Sequence, residues 1–466
     1  MQIIKFLKTL ESFVVICISN RIYNLFIIIA FIIAMSISFY NNKLGIVTNK
    51  DWFKAFGNDV ESHIPATILA NKYDIDTQGY GLMILNDDRV NDTYGLGALR
   101  MLKNDMQPQA FYPYRSSIGI QGFLWTWLYG MLGSFEALHI LNSILSSIAI
   151  MLTSIMLARI FGSLFGVVFF ISMFFSPWIT VFGNNLYWSL WIWFLPGICS
   201  YYIYIYIYIY SNIQDNAKIR ANLPLLILLF ICFMLSICFK SLCSYEYMTS
   251  ITIFALSPFL ISFLFSLFSN ESVVYICKGN SFKVLPCKIA FKYTIILFIL
   301  SIAGFLLAFI WQAFLRGDGD ILLGLSNIYH EDFLRRMIGG KAKDFDNVYA
   351  DSLNANIFIV TYKYIEHKYF LSIFGKDAFS VFSILSILML ILIKKVKIKY
   401  LLLLMFIIFA LSSISWFVFG KAHSYIHTHM NFVLWSLGFS AVILYIPIIF
   451  IYNIFCKILD IFESKF

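Results

Sequence analysis

Two carboxylates one residue apart, Asp59 and Glu61, lie a few residues beyond an apolar run, in the segment Gly57-Asn58-Asp59-Val60-Glu61-Ser62-His63-Ile64. Carboxylates beside an apolar medium are costly unless they are solvated, paired or used. Two chemistries suit the pair. A carboxylate of the pair can act as a general base that takes a proton from a hydroxyl. Asp59 and Glu61 together can offer oxygen ligands to a hard divalent cation such as Mg or Mn. The plain alternative is a solvated turn, where Asn-Asp is common.

A second cluster is Lys421-x-His423-x-x-x-His427-x-His429, which holds three of the seven histidines. Histidine is a common metal ligand, but no Glu completes a His-Glu-x-x-His pattern, so a zinc hydrolase is not indicated. The cluster reads better as an anion cradle, with Lys421 as a point charge and His423 and His427 as N–H donors. A third polar turn runs from Lys240 through Tyr245, Glu246 and Tyr247. Here Lys240 could meet a phosphate, and Glu246 with Tyr245 a sugar. A snorkelling lysine and an acid at a helix start are the ordinary alternatives. Arg335 and Arg336, behind His330-Glu331-Asp332, can clamp a phosphate or remain solvated loop charge. The rings of Tyr112, Tyr114 and Trp188 could stack on a sugar.

These residues must be carried by a membrane-embedded scaffold. Of 466 residues, 60% are hydrophobic and 13% charged, a balance that places the chain among integral membrane proteins. Spanning helices need roughly 20 apolar residues, and ten are expected at 22–41, 136–158, 162–182, 187–209, 223–239, 248–268, 292–314, 378–393, 400–420 and 431–454. The apolar stretch 117–133 is broken by glycines and is expected to lie at the interface. Residues 1–21 form an amphipathic start carrying Lys5 and Lys8. No small-residue cleavage site follows the first apolar run, so no cleavable signal peptide is expected. The Tyr-Ile run at 202–210 is expected as a lipid-facing helix, since a strand would leave backbone groups unpaired in lipid.

Charge sets the orientation. On this map one side carries 16 basic residues against five acids and the other 18 against 20, which together return the net charge of +9. The basic side is the inner one, so the charge reflects orientation and inner-leaflet contact rather than nucleic acid. All the polar clusters then face outward, in two long loops at 42–135 and 315–377 and in the turns at 240–247 and 421–429. Eight scattered cysteines form no Cys-x-x-Cys pair, which signals neither zinc nor a disulfide framework.

The ordered set of motifs resembles the GT-C superfamily of membrane glycosyltransferases. Asp59-Val60-Glu61 is followed by Tyr112-Pro113-Tyr114 leading into Gly122-Phe123-Leu124-Trp125. Gly133-Ser134-Phe135-Glu136-Ala137-Leu138, Ala158-Arg159-Ile160-Phe161-Gly162, Ser176-Pro177-Trp178 and Asn184-Asn185-Leu186-Tyr187 come next. The match covers about residues 20–200. The chain departs from the pattern at Asn184-Asn185, where many relatives have a basic residue. Its size and its aromatic, weakly charged spans are also similar to the serotype-converting O-antigen glucosyltransferases of bacteria and phages.

The resemblance implies an all-α polytopic membrane protein of about ten transmembrane helices with interfacial helices and two long periplasmic loops. The catalytic transmembrane module would occupy 22–210, the remaining helices 211–454, and a cytoplasmic tail 455–466. The implied activity is inverting transfer of a hexose such as glucose from a polyprenyl-phosphate donor to a lipid-linked O-antigen or other surface-glycan acceptor. It would take place at the periplasmic face of a bacterial inner membrane. Asp59 would be the base, with Glu61 orienting the acceptor or helping to hold Mg or Mn, although some relatives need no metal. Lys240, Lys421, His423, His427, Arg335 and Arg336 would meet the donor phosphate, and Glu246, Tyr245, Tyr112, Tyr114 and Asn185 the sugar or acceptor. Two other readings remain open. An O-antigen polymerase-like enzyme would rely on Arg335, Arg336 and Lys341. A flippase or transporter of lipid-linked sugars would want charge inside the spans, which are almost uncharged.

Overall fold

A computed structural model describes residues 21–89, 96–211, 223–277, 280–337, 340–367 and 369–463. The expected amphipathic start, the 212–222 loop with Lys218 and Arg220, and the end of the tail lie outside them. The fold is mostly helical, and an apolar helix stands at each of the ten expected places. They are α1 (Arg21–Asn41), α2 (Phe135–Phe161), α3 (Ser163–Phe174), α4 (Trp191–Ser211), α5 (Leu223–Cys243), α6 (Met248–Phe268), α7 (Cys287–Arg316), α8 (Ala378–Leu392), α9 (Val396–Phe419) and α10 (Phe439–Glu463). Six of these, among the described residues, are long and apolar enough to cross a membrane: α2, α4, α5, α6, α7 and α9.

A seventh crossing is possible if α3 is counted with the helix Pro177–Asn184, from which it is bent by 69°. The bend falls where Ser176 caps the second helix and Pro177 occupies its first turn, a position that suits a residue without an N–H. The apolar parts of α1, α8 and α10 are shorter. α10 also begins later than the expected 431–454, because Asn431–Ser436 is 3-10 helix and Gly438 breaks the chain at φ +94°.

α5 packs on α7, α6 on α9 and α4 on α2. Polar side chains within these helices turn back on their own carbonyls. Ser147, Thr153 and Ser154 in α2, and Thr294 and Ser301 in α7, each donate to the residue four positions earlier. That local bond satisfies a hydroxyl where no water is at hand. The Tyr-Ile run is helical as expected, and part of it turns inward: Ile203, Tyr204, Ile205 and Ile207 are buried while Tyr202 and Ile209 stay exposed. Tyr201 donates to the Phe254 carbonyl at 2.7 Å, and Tyr204 meets Ser262 and the Lys283 carbonyl. An alternation of period 2 spreads its tyrosines around a helix of period 3.6, so some must face inward.

Two short antiparallel ribbons add to the helices: Met83–Asn86 (β1) with Ala110–Pro113 (β2), and Val273–Cys277 (β3) with Asn280–Lys283 (β4). The β3–β4 ribbon marks one end of the bundle. There Asn280 accepts from Leu164 N at 2.7 Å, and Lys397 pairs with Glu271. The expected polar loops meet at the opposite end. Ser117 donates to the Cys243 carbonyl at 3.0 Å, and Gln312 to the Arg115 carbonyl at 3.1 Å.

The 117–133 stretch forms a 13-residue helix, Ile120–Leu132, between Gly119 and Gly133 at positive φ. At 1.5 Å per residue it reaches about 20 Å, less than the roughly 30 Å of a bilayer core. Its first turn lies directly on the 81–82 backbone, where a Cβ on Gly122 would come within 1.6 Å of the Gly81 carbonyl oxygen. Backbone cannot yield as a flexible side chain can. Gly122→Ala should therefore destabilise the first loop by at least the ~1–3 kcal/mol typical of overpacking, read as a lowered melting temperature of the purified protein in detergent.

Candidate functional site

The acid turn is built around Gly57, whose φ of +65° favours glycine and whose absent Cβ makes room for the Asn185 amide, which one would approach to 2.9 Å. The short helix Asn58–Glu61 follows. Asn185 is buried, and its Nδ2 reaches the carbonyls of Phe56 and Gly57, both at 3.4 Å. Its Oδ1 accepts from the N–H groups of Tyr187 and Trp188. Asn142 on α2 holds the 183–185 turn that carries Asn185, donating to the carbonyls of Gly183 and Asn185. Asparagines here replace the peptide partners that irregular backbone lacks. The two carboxylates meet different neighbours. Glu61 is half-buried and accepts from Leu186 N at 2.6 Å, with His139 Nε2 3.8 Å away. Burial pushes its carboxyl up, against the pull of His139 and the Leu186 N–H. Asp59 is exposed and interacts electrostatically with His63 and His429.

Next to the acid turn lies a chamber of about 290 Å³, whose wall includes Val60, Tyr114, Glu246, Arg336, His423 and His427. Glu246 Oε1 stands 2.9 Å from His423 Nε2. Burial alone would raise the Glu246 carboxyl, but His423, Arg336 and His427 together hold it down at about 2. Burial, reinforced by His423, pushes the His427 imidazole down to about 3. Near neutral pH the chamber therefore contains an ionised Glu246, a neutral His427 and the guanidinium groups of Arg335 and Arg336, with that of Arg316 behind them outside the lining. Asp332 organises those cations: Arg316, Arg335 and Arg336 all approach it at 3.4–3.5 Å. Arg335 also bonds the Tyr349 hydroxyl and lies over its ring, and Arg336 donates to Ser116 Oγ at 2.8 Å. The Nδ1 atoms of His423 and His427 are buried, with no hydrogen-bond partner among the described residues.

An apolar lobe of about 230 Å³ adjoins this chamber and shares Tyr114, Tyr187, Glu246, Arg336 and His423 with it. Phe305 and Phe309 of α7, Phe333 and Trp416 give the lobe its greasy wall. Tyr245 lies against Phe305 and Phe309, and its hydroxyl has no hydrogen-bond partner among the described residues. A lined cationic chamber that opens into an apolar lobe can hold a molecule with an anionic head and an apolar tail.

Segments far apart in sequence thus converge, as the sequence reading required: Glu246, Arg335, Arg336, His423, His427 and Tyr114 share one chamber, and Tyr245 lines its annex. Four expected contacts differ. Lys240 is buried and donates to the carbonyls of Ser244 and Glu246, so it holds the turn from behind. Lys421 is held by the carbonyls of Leu353 and Ala355. Ammonium groups near unpaired carbonyls satisfy them, and neither lysine lines the chamber. Asn185 spends its amide on backbone, as described. Tyr112 is exposed on the outer face of β2, where Asn86 reaches its hydroxyl.

Several residues at the site received no role from the sequence. His63 stacks on Tyr114 with centroids 4.6 Å apart, and burial pushes its imidazole down to about 4 against the pull of Asp59. Its spacing of four from Asp59 was the available signal. Tyr349 and His139 had none. Among the described residues no three His, Cys, Asp or Glu side chains gather as a metal-holding group. No family model matches the chain, and neither a curated protein nor a solved structure matches it.

The Glu246–His423 contact is a hydrogen bond to a charged group, so a double-mutant cycle of Glu246→Gln and His423→Gln should give a coupling of about 1.5–3 kcal/mol in unfolding experiments. Additive effects of the two substitutions would mean that the contact is not made.

Proposed function

We propose that the chain is an inverting membrane glycosyltransferase that moves a hexose from a polyprenyl-phosphate donor to a lipid-linked O-antigen or related surface glycan. In this reading it is a multi-pass protein of a bacterial inner membrane, its ten apolar helices all crossing or entering the bilayer, with the reaction at the periplasmic face. The observation that carries the reading is the cationic chamber beside the acid turn, with an apolar lobe behind it. Arg335 and Arg336, positioned by Asp332, would bind the donor phosphate, with His427 as a neutral N–H donor. The lobe walled by Phe305 and Phe309 would take the first part of the isoprenoid chain. The ordered resemblance of residues 20–200 to the GT-C superfamily supports the same assignment.

The acceptor hydroxyl oxygen attacks the anomeric carbon from the face opposite the phosphate. Asp59 takes the hydroxyl proton as the new C–O bond forms. The bond from the anomeric carbon to the phosphate oxygen breaks, and the phosphate leaves with one more negative charge. Fixed guanidinium groups stabilise that charge more in the transition state than in the ground state. Glu246, ionised and held by His423, would accept hydrogen bonds from the hydroxyls of the donor sugar.

Asp59→Asn should abolish transfer while the protein still inserts and binds donor. Arg336→Ala should lower turnover by about 10²–10³-fold, the scale seen when one transition-state donor is removed. Both are read by mass analysis of the glycan product in reconstituted vesicles. A fully active, well-expressed Asp59→Asn variant would overturn the mechanism. The presence of Arg335 and Arg336 in the chamber also suits a polymerase-like enzyme that joins lipid-linked oligosaccharides. Such an enzyme would give a ladder of repeat lengths, whereas a side-branch transferase adds one sugar mass per repeat.

A further inference from the structure

A second cavity, of about 570 Å³, lies on the other side of the acid turn. The turn is the partition: Val60 faces the cationic chamber, while Asn58 and Glu61 line the second cavity. Its size falls within the roughly 300–1,000 Å³ of small-ligand sites. Glu61 and His139 stand in its wall with side chains only 14% and 16% exposed. Glu61 keeps its position through the Leu186 N–H, and His139 Nδ1 is fixed on the Asn184 carbonyl at 2.9 Å. At the rim, Glu136 accepts from the Tyr40 hydroxyl.

The chemistry of this wall differs from that of the first chamber. Two carboxylates, Glu61 and Glu136, balance Lys54 and Lys103, so no excess of cations draws an anion. Amide and hydroxyl groups from Asn58 and Ser134 stand among the rings of Phe53, Phe56, Phe135 and Tyr129. Carboxylates and amides accept and donate to hydroxyls. The negative faces of aromatic rings suit the C–H faces of a sugar. The set fits a neutral, hydroxyl-rich ligand.

From this we infer that the second cavity is a binding site for a sugar of the acceptor glycan, with the Asp59–Glu61 turn as the wall shared by the two substrates and Glu61 and His139 as positioning residues. The inference rests on the transferase reading above, because it gives the ligand its role. The cavity and its preference for an uncharged sugar can be tested without transfer.

The experiment uses the full chain in lipid nanodiscs. The probe is the neutral repeat-unit oligosaccharide released by mild acid from the surface polysaccharide of the host, with saturation-transfer NMR as readout. Leu99→Trp fills the cavity from a wall position away from the acid pair, and His139→Gln tests the polar wall while keeping a side chain able to reach the Asn184 carbonyl. Melting curves establish that each variant is folded. Wild type should bind the oligosaccharide, and each variant should weaken binding by about tenfold or more. Arg336→Ala should leave it unchanged, and inorganic phosphate should not compete.

The site is overturned if wild type shows no saturation transfer or if folded Leu99→Trp and His139→Gln bind as wild type does. Loss of binding in Arg336→Ala, or displacement by phosphate, would place the oligosaccharide in the cationic chamber and overturn it equally. Binding that follows the expected pattern in a protein without transferase activity would sink the transferase reading and leave the sugar site standing. In an active transferase, Leu99→Trp should raise the KM for acceptor and leave donor binding unaltered, which a general structural defect would not do.

Discussion

A polar group inside an apolar medium must find its partner within the chain, and this constraint sorts the molecule into a middle and two ends. In the middle, helices satisfy their own backbones, and several of their serines and threonines, Ser147, Thr153 and Ser301 among them, bond back to carbonyls one turn earlier. Irregular backbone is confined to the ends, where side chains complete what the helices cannot. The turn at 183–188 shows how this is done. Asn142 reaches it from α2, and Asn185 passes the connection on to the carbonyls of Phe56 and Gly57. Two buried amides thereby fix the acid turn against the bundle, and the positions of Asp59 and Glu61 depend on them.

The same constraint explains why the cations near the site are not interchangeable. Lys240 and Lys421 are compact point charges with rotatable donors, and each is held by two backbone carbonyls of the loops around it. Arg335 and Arg336 present planar forks. Asp332 approaches one terminal nitrogen of each, and both side chains line the chamber. A guanidinium can be anchored and still offer hydrogen bonds to a ligand, which suits it to a partly desolvated anion site.

Much of the architecture was legible in the sequence, because hydropathy and the placement of lysine and arginine act over whole segments. The apolar helices, the short helix at 120–132 and the gathering of the polar loops at one end all follow from such averages. The identity of the chamber cations was less legible. Whether Lys421 faces a ligand depends on where the carbonyls of Leu353 and Ala355 lie, almost 70 positions away in the chain. The Tyr-Ile run misled for a related reason. Composition alone suited lipid, but partners on α6, the Phe254 carbonyl and the Ser262 hydroxyl, hold Tyr201 and Tyr204 inward. His139 gave no local signal, since its meaning arises only when α2 stands opposite Glu61.

The placement of the acid turn between two cavities has a mechanical consequence. In the proposed transferase, a base that serves two substrates must be rigid relative to both, or gains in positioning one are lost on the other. Gly57 lets the backbone turn tightly enough for Asn185 to grip it, and Leu186 N grips Glu61 from the adjacent turn. Both grips come from the single segment 185–188, which also presents Tyr187 and Trp188 to the cationic chamber. Movement of that segment would therefore displace the acid turn and the chamber wall together. The geometry between the two cavities is preserved as a unit, while the loop carrying Arg335 and Arg336 is anchored separately through Asp332 and Ser116.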